Sequence, residues 1–119
     1  MPAYGFYARN ARGITLQNIR LQVVTPDLRP ALIFDHVEDA AINGFSVQGN
    51  PDSESVPRLI DSRQVLFTAA RVLTPSSSFL QLEGTGNEGI TIDGGDLSKA
   101  SRPLALKNSV TEKAVKLRM

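Results

Sequence analysis

A short pattern repeats five times along the 119 residues, and this repeat constrains the fold more than any other feature. In its first copy, GITLQNIRL at residues 13–21, apolar and polar residues alternate on either side of Asn18. Such alternation is typical of a strand with one buried face, and asparagine tolerates the left-handed backbone that a bend often needs. The pattern returns every 25 or 26 residues, which predicts a solenoid.

Four columns of residues recur at this spacing and would stack on neighbouring coils. The anchor column is Ile14, Ala40, Val65, Ile90 and Val115. The second apolar column is Leu16, Ile42, Phe67, Ile92 and Leu117. The bend column is Asn18, Gly44, Ala69 and Gly94. The charge column, which alternates in sign, is Arg12, Glu38, Arg63, Glu88 and Lys113. Opposite charges on adjacent strands attract, so this last column agrees with the stacking that the apolar columns predict.

Strand-forming residues carry the apolar pattern, and no stretch keeps a helical period over three turns. Only fragments of the leucine-rich pattern occur. A further apolar strand precedes each anchor, at residues 5–8, 31–34, 58–60, 79–82 and 104–106. Polar loops with proline lie at 22–30, 48–57, 74–78 and 98–103. The sequence therefore predicts one all-β domain over residues 1–119, a right-handed, single-stranded parallel β-helix of about four to five coils with three short strands each.

Composition excludes several classes of partner. The net charge is +1 and no basic run occurs, which argues against nucleic-acid binding. Without cysteine there is no disulfide framework and no thiol catalysis, and the compartment stays open. No apolar run has the length of a signal peptide or a membrane span, so we expect no membrane partner and no leader in this chain.

His36 is the single histidine and falls in one column with Asn10 and Asp61, which predicts a hydrogen-bonded structural role near a bend rather than catalysis. Because one histidine and no cysteine leave only carboxylates as further ligands, we expect no metal site and no cofactor. The serines at 76–78 have no base nearby in sequence and are interpreted as loop residues.

Two acid pairs are candidates for the paired carboxyls of an inverting glycosidase. Asp93 and Asp96 flank a bend, and Asp52 and Glu54 share a loop. Asp93 shares its own column only with Gln17, Asn43 and Thr68, which offer no second carboxyl. Exposed acids of this kind are more often solvated surface, which is the interpretation preferred for both pairs.

The first and last coils carry no polar cap, although terminal coils of a solenoid usually need one. The first coil is among the most apolar, with Phe6, Ile14 and Leu16. We therefore expect either further coils beyond this stretch, which would make residues 1–119 the carboxy-terminal part of a longer solenoid, or self-association through open ends.

The stretch PAYGFYARNARGITLQNI at 2–19, followed by RPAL at 29–32 and VED at 37–39, resembles the last coils of bacterial glycoside hydrolase family 28. These polygalacturonase-like enzymes belong to the pectin lyase-like superfamily. The resemblance covers roughly the first 50 residues directly and the rest by repeat pattern only. It implies a right-handed parallel β-helix, inverting hydrolysis of pectic galacturonans, and a secreted or periplasmic parent protein.

The family's catalytic signatures are Asn-Thr-Asp, Asp-Asp, Gly-His-Gly and Arg-Ile-Lys, and none occurs in this sequence. No catalytic residue can therefore be assigned by the resemblance. Arg29, Arg58 and Arg102 stand at predicted loop-to-strand junctions, the edge that borders the sugar groove in the family. The resemblance makes them the candidates for contact with uronate carboxylates, and the alternative, which is preferred, is that these charges keep the loop edge soluble.

The expected function is a carboxy-terminal β-helix segment of a polygalacturonase-like hydrolase, acting on pectic or related polysaccharide and lacking the catalytic aspartates itself. The alternative is a stand-alone structural or polysaccharide-binding module that assembles end to end. Under the first hypothesis, the expected partner is a uronic-acid polysaccharide. Under both hypotheses, upstream coils or a second copy of the chain would cover the open ends of the solenoid.

Overall fold

The computed structural model describes residues 3, 5–22, 30–48, 57–84, 86–107 and 115–118. These residues form ten strands and no helix. The strands are β1 (Phe6–Arg9), β2 (Arg12–Leu21), β3 (Leu32–Asp35), β4 (Glu38–Val47), β5 (Pro57–Ile60), β6 (Arg63–Val72), β7 (Ser76–Glu83), β8 (Glu88–Asp96), β9 (Ala100–Lys107) and β10 (Val115–Arg118). No helix in this part of the chain is long and apolar enough to cross a membrane.

The strands form two parallel sheets that the chain visits in turn. The odd-numbered strands pair in the order β1-β3-β5-β7-β9, and the even-numbered strands pair in the order β2-β4-β6-β8-β10. Each turn of the chain therefore adds one strand to each sheet, next to the strand from the turn before. This is the predicted all-β parallel β-helix.

The strand register follows the columns predicted from the sequence. Ile14 pairs with Ala40, and the anchor column continues through Val65 and Ile90 to Val115. The second apolar column and the charge column are paired in the same way, although Lys113 of the charge column lies outside the described residues. The register places the apolar columns of β4, β6 and β8 inside the solenoid, where their side chains are buried.

A continuous buried core runs from Ala31 to Leu97 and fills about three turns. Within it, the ring of Phe67 lies 6.0 Å from that of Phe45 and 5.8 Å from that of Phe79. The apolar side chains of the first and last turns are only partly buried against this cluster. The core is therefore slightly shorter than the predicted four to five coils, because a terminal turn has a neighbour on one side only.

The bend column is confirmed, but it does not divide the strands. Its members have positive φ angles of 53° at Asn18, 73° at Gly44, 55° at Ala69 and 68° at Gly94. β2 pairs with β4 as far as Gln17 and Asn43, and the pairing resumes at Ile19 and Phe45. The stretches before and after the bend therefore belong to one bent strand. Each turn thus contributes two strands in the described residues, and the prediction of three per coil was wrong.

Two further columns have left-handed backbone conformations that the sequence pattern did not reveal. The corner column connects the odd-numbered strands to the even-numbered ones, with φ angles of 53° at Asn10, 57° at His36 and 45° at Asp61. The second column lies one residue after the charge column and consists of Gly13, Asp39, Gln64 and Gly89. Stacked left-handed residues turn every coil at the same place, which keeps the corners of neighbouring coils aligned.

Two predicted loops are shorter than expected. The serines at 76–78 were assigned to a loop, but they open β7, and Ser78 is fully buried. The Ser76 hydroxyl donates to the Ser78 carbonyl at 3.3 Å, and this bond satisfies a polar group that would otherwise be costly to bury. Likewise, β9 already begins at Ala100, inside the loop predicted at 98–103.

Candidate functional site

A polar groove lies along the corner at which the chain passes from the odd-numbered to the even-numbered sheet. It has a volume of about 410 Å³. Three successive coils contribute its lining, which consists of His36, Val37, Glu38, Asp61, Arg63 and Gly86. The corner column and the charge column thus meet in one surface feature, which we call the corner groove.

The imidazole of His36 lies between two carboxylates. Its Nδ1 is 2.5 Å from Asp35 Oδ1, and its Nε2 is 3.8 Å from Asp61 Oδ2. The first distance is that of a close hydrogen bond, whereas the second is too long for a direct one. The side chain is 58% exposed, so Nε2 is accessible from the groove.

Asp61 is held in place by the next coil. Its Oδ1 accepts a hydrogen bond from the backbone N–H of Gly86 at 2.9 Å, and its own N–H donates to the Glu83 carbonyl at 3.0 Å. Gly84 lies so close to this carboxylate that a side chain there would collide with it. These contacts fix Oδ1 and leave Oδ2 facing His36.

A buried polar ladder supports the groove from below. The Val37 N–H donates to Ser62 Oγ at 3.3 Å, and the Ser62 N–H donates to Asn87 Oδ1 at 3.0 Å. Asn87 Nδ2 in turn donates to the Glu83 carbonyl at 2.7 Å. Ser62 is fully buried and Asn87 is 7% exposed, so the ladder ties three coils together directly beneath the groove.

Two arginines of the first coil contact acids of the second. Arg12 Nη2 lies 3.0 Å from Glu38 Oε2, and Arg9 Nε lies 3.8 Å from Asp35 Oδ2. The Arg12 and Glu38 side chains are 77% and 51% exposed, so solvent screens their attraction strongly. A third arginine, Arg63, lines the corner groove itself.

Of the three arginines predicted to contact sugar, the structure describes Arg58 and Arg102, and it does not bring these two together. Arg29 lies outside the described residues. Arg58 forms a 2.6 Å ion pair with Glu83, whose Oε1 also accepts the Gln81 amide at 2.6 Å. Arg102 is exposed inside β9 and pairs in register with Ser78, whereas Arg58 pairs with Gln81. The two described arginines thus occupy different columns, and Arg58 is already engaged by a neighbouring coil.

Of the two candidate acid pairs, only Asp93 and Asp96 lie within the described residues. Asp52 and Glu54 lie outside the described residues. Asp93 pairs with Thr68, as the column predicts. Hydrogen bonds from the Ser98 side chain and the Ser98 backbone N–H lower the pKa of the exposed Asp96 carboxyl, and the N–H bond measures 3.0 Å.

Comparison of the chain with protein-family models, with curated proteins and with solved structures finds no match in any of the three. Interpretation of the corner groove therefore depends on its own side chains. Sequence reasoning placed His36 and Asp61 in one column but overlooked the contact with Asp35. The adjacency of Asp35 and His36 in the sequence was the available signal.

Proposed function

We propose that this chain is the carboxy-terminal β-helix segment of a polygalacturonase-like, family 28 glycoside hydrolase and binds uronic-acid polysaccharide without cleaving it. The observation that carries this proposal is the corner groove, an open polar surface that crosses three coils of a parallel β-helix. A polymer lying along the solenoid axis would meet equivalent positions in successive coils.

The chemistry of the lining suits an acidic sugar. Asp61 and Glu38 line the groove and would accept hydrogen bonds from sugar hydroxyl groups, and the Arg63 guanidinium would pair with a uronate carboxylate. Because Arg58 is paired with Glu83, Arg63 replaces it as the proposed carboxylate contact.

The sequence supports the proposed absence of cleavage. The four catalytic signatures of the family are missing from all 119 residues. We therefore expect no release of reducing sugar from polygalacturonate by this chain, measured at enzyme concentrations at which family hydrolases act readily.

Affinity electrophoresis tests the binding. The chain is run through gels containing polygalacturonate or, as a neutral control, dextran, and retardation by polygalacturonate alone is expected. Arg63→Ala should weaken the retardation at least fivefold. Arg71→Ala, which removes an exposed arginine from the far part of the same strand, should leave it unchanged. Equal losses in both variants, or no retardation of the parent chain, would contradict the proposal.

A second candidate function, end-to-end assembly, is favoured by the last coil. Leu104, Leu106, Val115 and Leu117 line an apolar cavity of about 460 Å³, and Leu117 is 40% exposed. Analytical ultracentrifugation distinguishes the two candidates. If the chain assembles end to end, its apparent molecular mass should rise with protein concentration, and Leu117→Lys should reduce this rise. Leu66→Lys is the matched control, since Leu66 is 37% exposed on a strand inside the stack. A monomer at all concentrations would eliminate the second candidate.

A further inference from the structure

We infer that His36 and Asp61 form a binding site for a divalent transition-metal ion of the zinc type, with Asp35 orienting the imidazole. This inference concerns the corner groove but does not rest on the proposed polysaccharide function. It departs from the expectation, based on residue counts, that the chain has no metal site.

The hydrogen bond to Asp35 determines which nitrogen can bind a metal. An ionised carboxylate only accepts hydrogen bonds, so in the 2.5 Å contact the proton belongs to His36 Nδ1. The lone pair of the neutral ring is then on Nε2, the nitrogen that faces Asp61. Metal-binding histidines commonly donate their other N–H to a carboxylate, which fixes the ring and raises its basicity.

The spacing of the two ligand atoms fits one ion. Zinc binds nitrogen and carboxylate oxygen at about 2.0–2.2 Å, so two ligands of a tetrahedral ion lie roughly 3.4 Å apart. His36 Nε2 and Asp61 Oδ2 are 3.8 Å apart, and a shift of a few tenths of an ångström would bring them into position. Without a bridging proton, water or cation, two acceptor atoms would face each other across this gap.

The Asp61 carboxylate is held for this role by its second oxygen. Oδ1 is engaged by the Gly86 N–H at 2.9 Å, which leaves Oδ2 directed at the imidazole. Both ligand residues stand in the corner column, so the strand register brings together two groups that are 25 residues apart in sequence.

The surrounding charges set the expected affinity. The described residues contain no group of three or more histidine, cysteine or acidic side chains placed to hold a metal, so water must complete the coordination shell. Arg63 lines the same groove and opposes a cation, while Arg9 and Arg12 neutralise Asp35 and Glu38 in part. We therefore expect a weak, exchangeable site that prefers zinc to the hard cation magnesium.

Long-range ¹H–¹⁵N NMR of the imidazole tests the inference directly, because the chain has a single histidine. Titration of the whole chain with ZnCl₂ at neutral pH should shift the Nε2 resonance saturably, with one ion per chain, and leave Nδ1 protonated. MgCl₂ at the same concentrations should leave the ring unchanged. A ring that does not respond to millimolar zinc, or that binds through Nδ1, would overturn the inference.

Variants separate a two-ligand site from a lone histidine. His36→Ala and Asp61→Asn should each weaken zinc binding at least tenfold, measured by calorimetry, and Asp35→Asn should weaken it to a lesser extent. Asp93→Asn, on the outer face of β8, is the control and should bind as the parent does. Each variant is first compared with the parent by circular dichroism. Parent-like affinity in a folded Asp61→Asn variant would refute the bridging geometry.

Discussion

Ala69 adopts a left-handed backbone conformation, with φ of 55°, in a column whose other members are Asn18, Gly44 and Gly94. This conformation costs most L-residues about 1–2 kcal/mol, whereas glycine adopts it freely but loses about 0.5–1 kcal/mol of chain entropy on folding. Since Ala69 is exposed, no packing is lost by removing its methyl group.

We therefore expect Ala69→Gly to raise the free energy of unfolding by about 0.5–1 kcal/mol, measured by urea denaturation. The neighbouring Ala70 is buried and has no positive φ, so Ala70→Gly should instead destabilise the chain. A loss of stability in both variants would show that the bend column does not strain alanine.

Asp96 offers a prediction on pH. Hydrogen bonds from the side chain and the backbone of Ser98 hold the pKa of this carboxyl below its ordinary value of about 3.9. A depressed pKa means that the contribution to stability is present above the unfolded value and is lost as pH falls through the folded value.

Ser98→Ala removes the side-chain hydrogen bond, and the pKa of Asp96 should rise toward its ordinary value in an NMR titration of the carboxyl. Ser101→Ala, an exposed change in β9, should leave the Asp96 titration in place. An unchanged Asp96 pKa in Ser98→Ala would mean that the hydroxyl contributes nothing.

At the scale of the strands, the ion pairs that join neighbouring coils have very different surroundings. Glu83 joins β5 to β7 through a single oxygen that accepts both Arg58 and Gln81 at 2.6 Å. Gln81 is 1% exposed, and Arg58 Nε is buried with no partner among the described residues. Loss of Glu83 would therefore leave the buried Gln81 amide and the partly buried Arg58 guanidinium without this partner.

We expect Glu83→Ala to lower the free energy of unfolding by about 1–3 kcal/mol, because the buried Gln81 amide and the partly buried Arg58 guanidinium lose their partner. Glu38→Ala, which breaks the exposed pair with Arg12, should cost less than about 1 kcal/mol. Urea denaturation of both variants makes the comparison, and equal losses would contradict the distinction between the partly buried pair and the exposed pair.

Recurrence at 25 residues was sufficient to predict the anchor column and its register, because every coil needs apolar side chains at the same inward position. It also placed Asn10, His36 and Asp61 in one column near a bend, but it did not predict the left-handed backbone there, since histidine and aspartate adopt this conformation far less often than glycine. The His36–Asp35 contact depends on that backbone conformation. Ser78 was wrongly assigned to a loop because serine favours turns. In the structure it is buried within a paired strand, which the sequence pattern did not indicate.

For the whole molecule, stability should depend on where in the stack a residue lies. Each coil contacts only its neighbours, so a central coil is supported from two sides and a terminal coil from one. Phe67 is fully buried between Phe45 and Phe79. Phe6 is only partly buried, and its ring centroid lies 6.1 Å from that of Phe34.

Phe67→Ala should therefore cost about 3–5 kcal/mol, and Phe6→Ala only about 1–2 kcal/mol, because the first coil can fray without disturbing the centre. Thermal and urea denaturation measure both. A larger effect at Phe6 than at Phe67 would contradict the dependence of stability on position in the stack.

The charge column gives the repeat a hidden second period. The apolar pattern repeats with every coil. The sign of the charge alternates from coil to coil along Arg12, Glu38, Arg63 and Glu88, so it repeats only with every second coil. Duplication or loss of a single coil in the course of evolution would keep the interior intact while placing like charges side by side. Gain or loss of coils in pairs, about fifty residues at a time, would preserve both the interior and the alternation of charge.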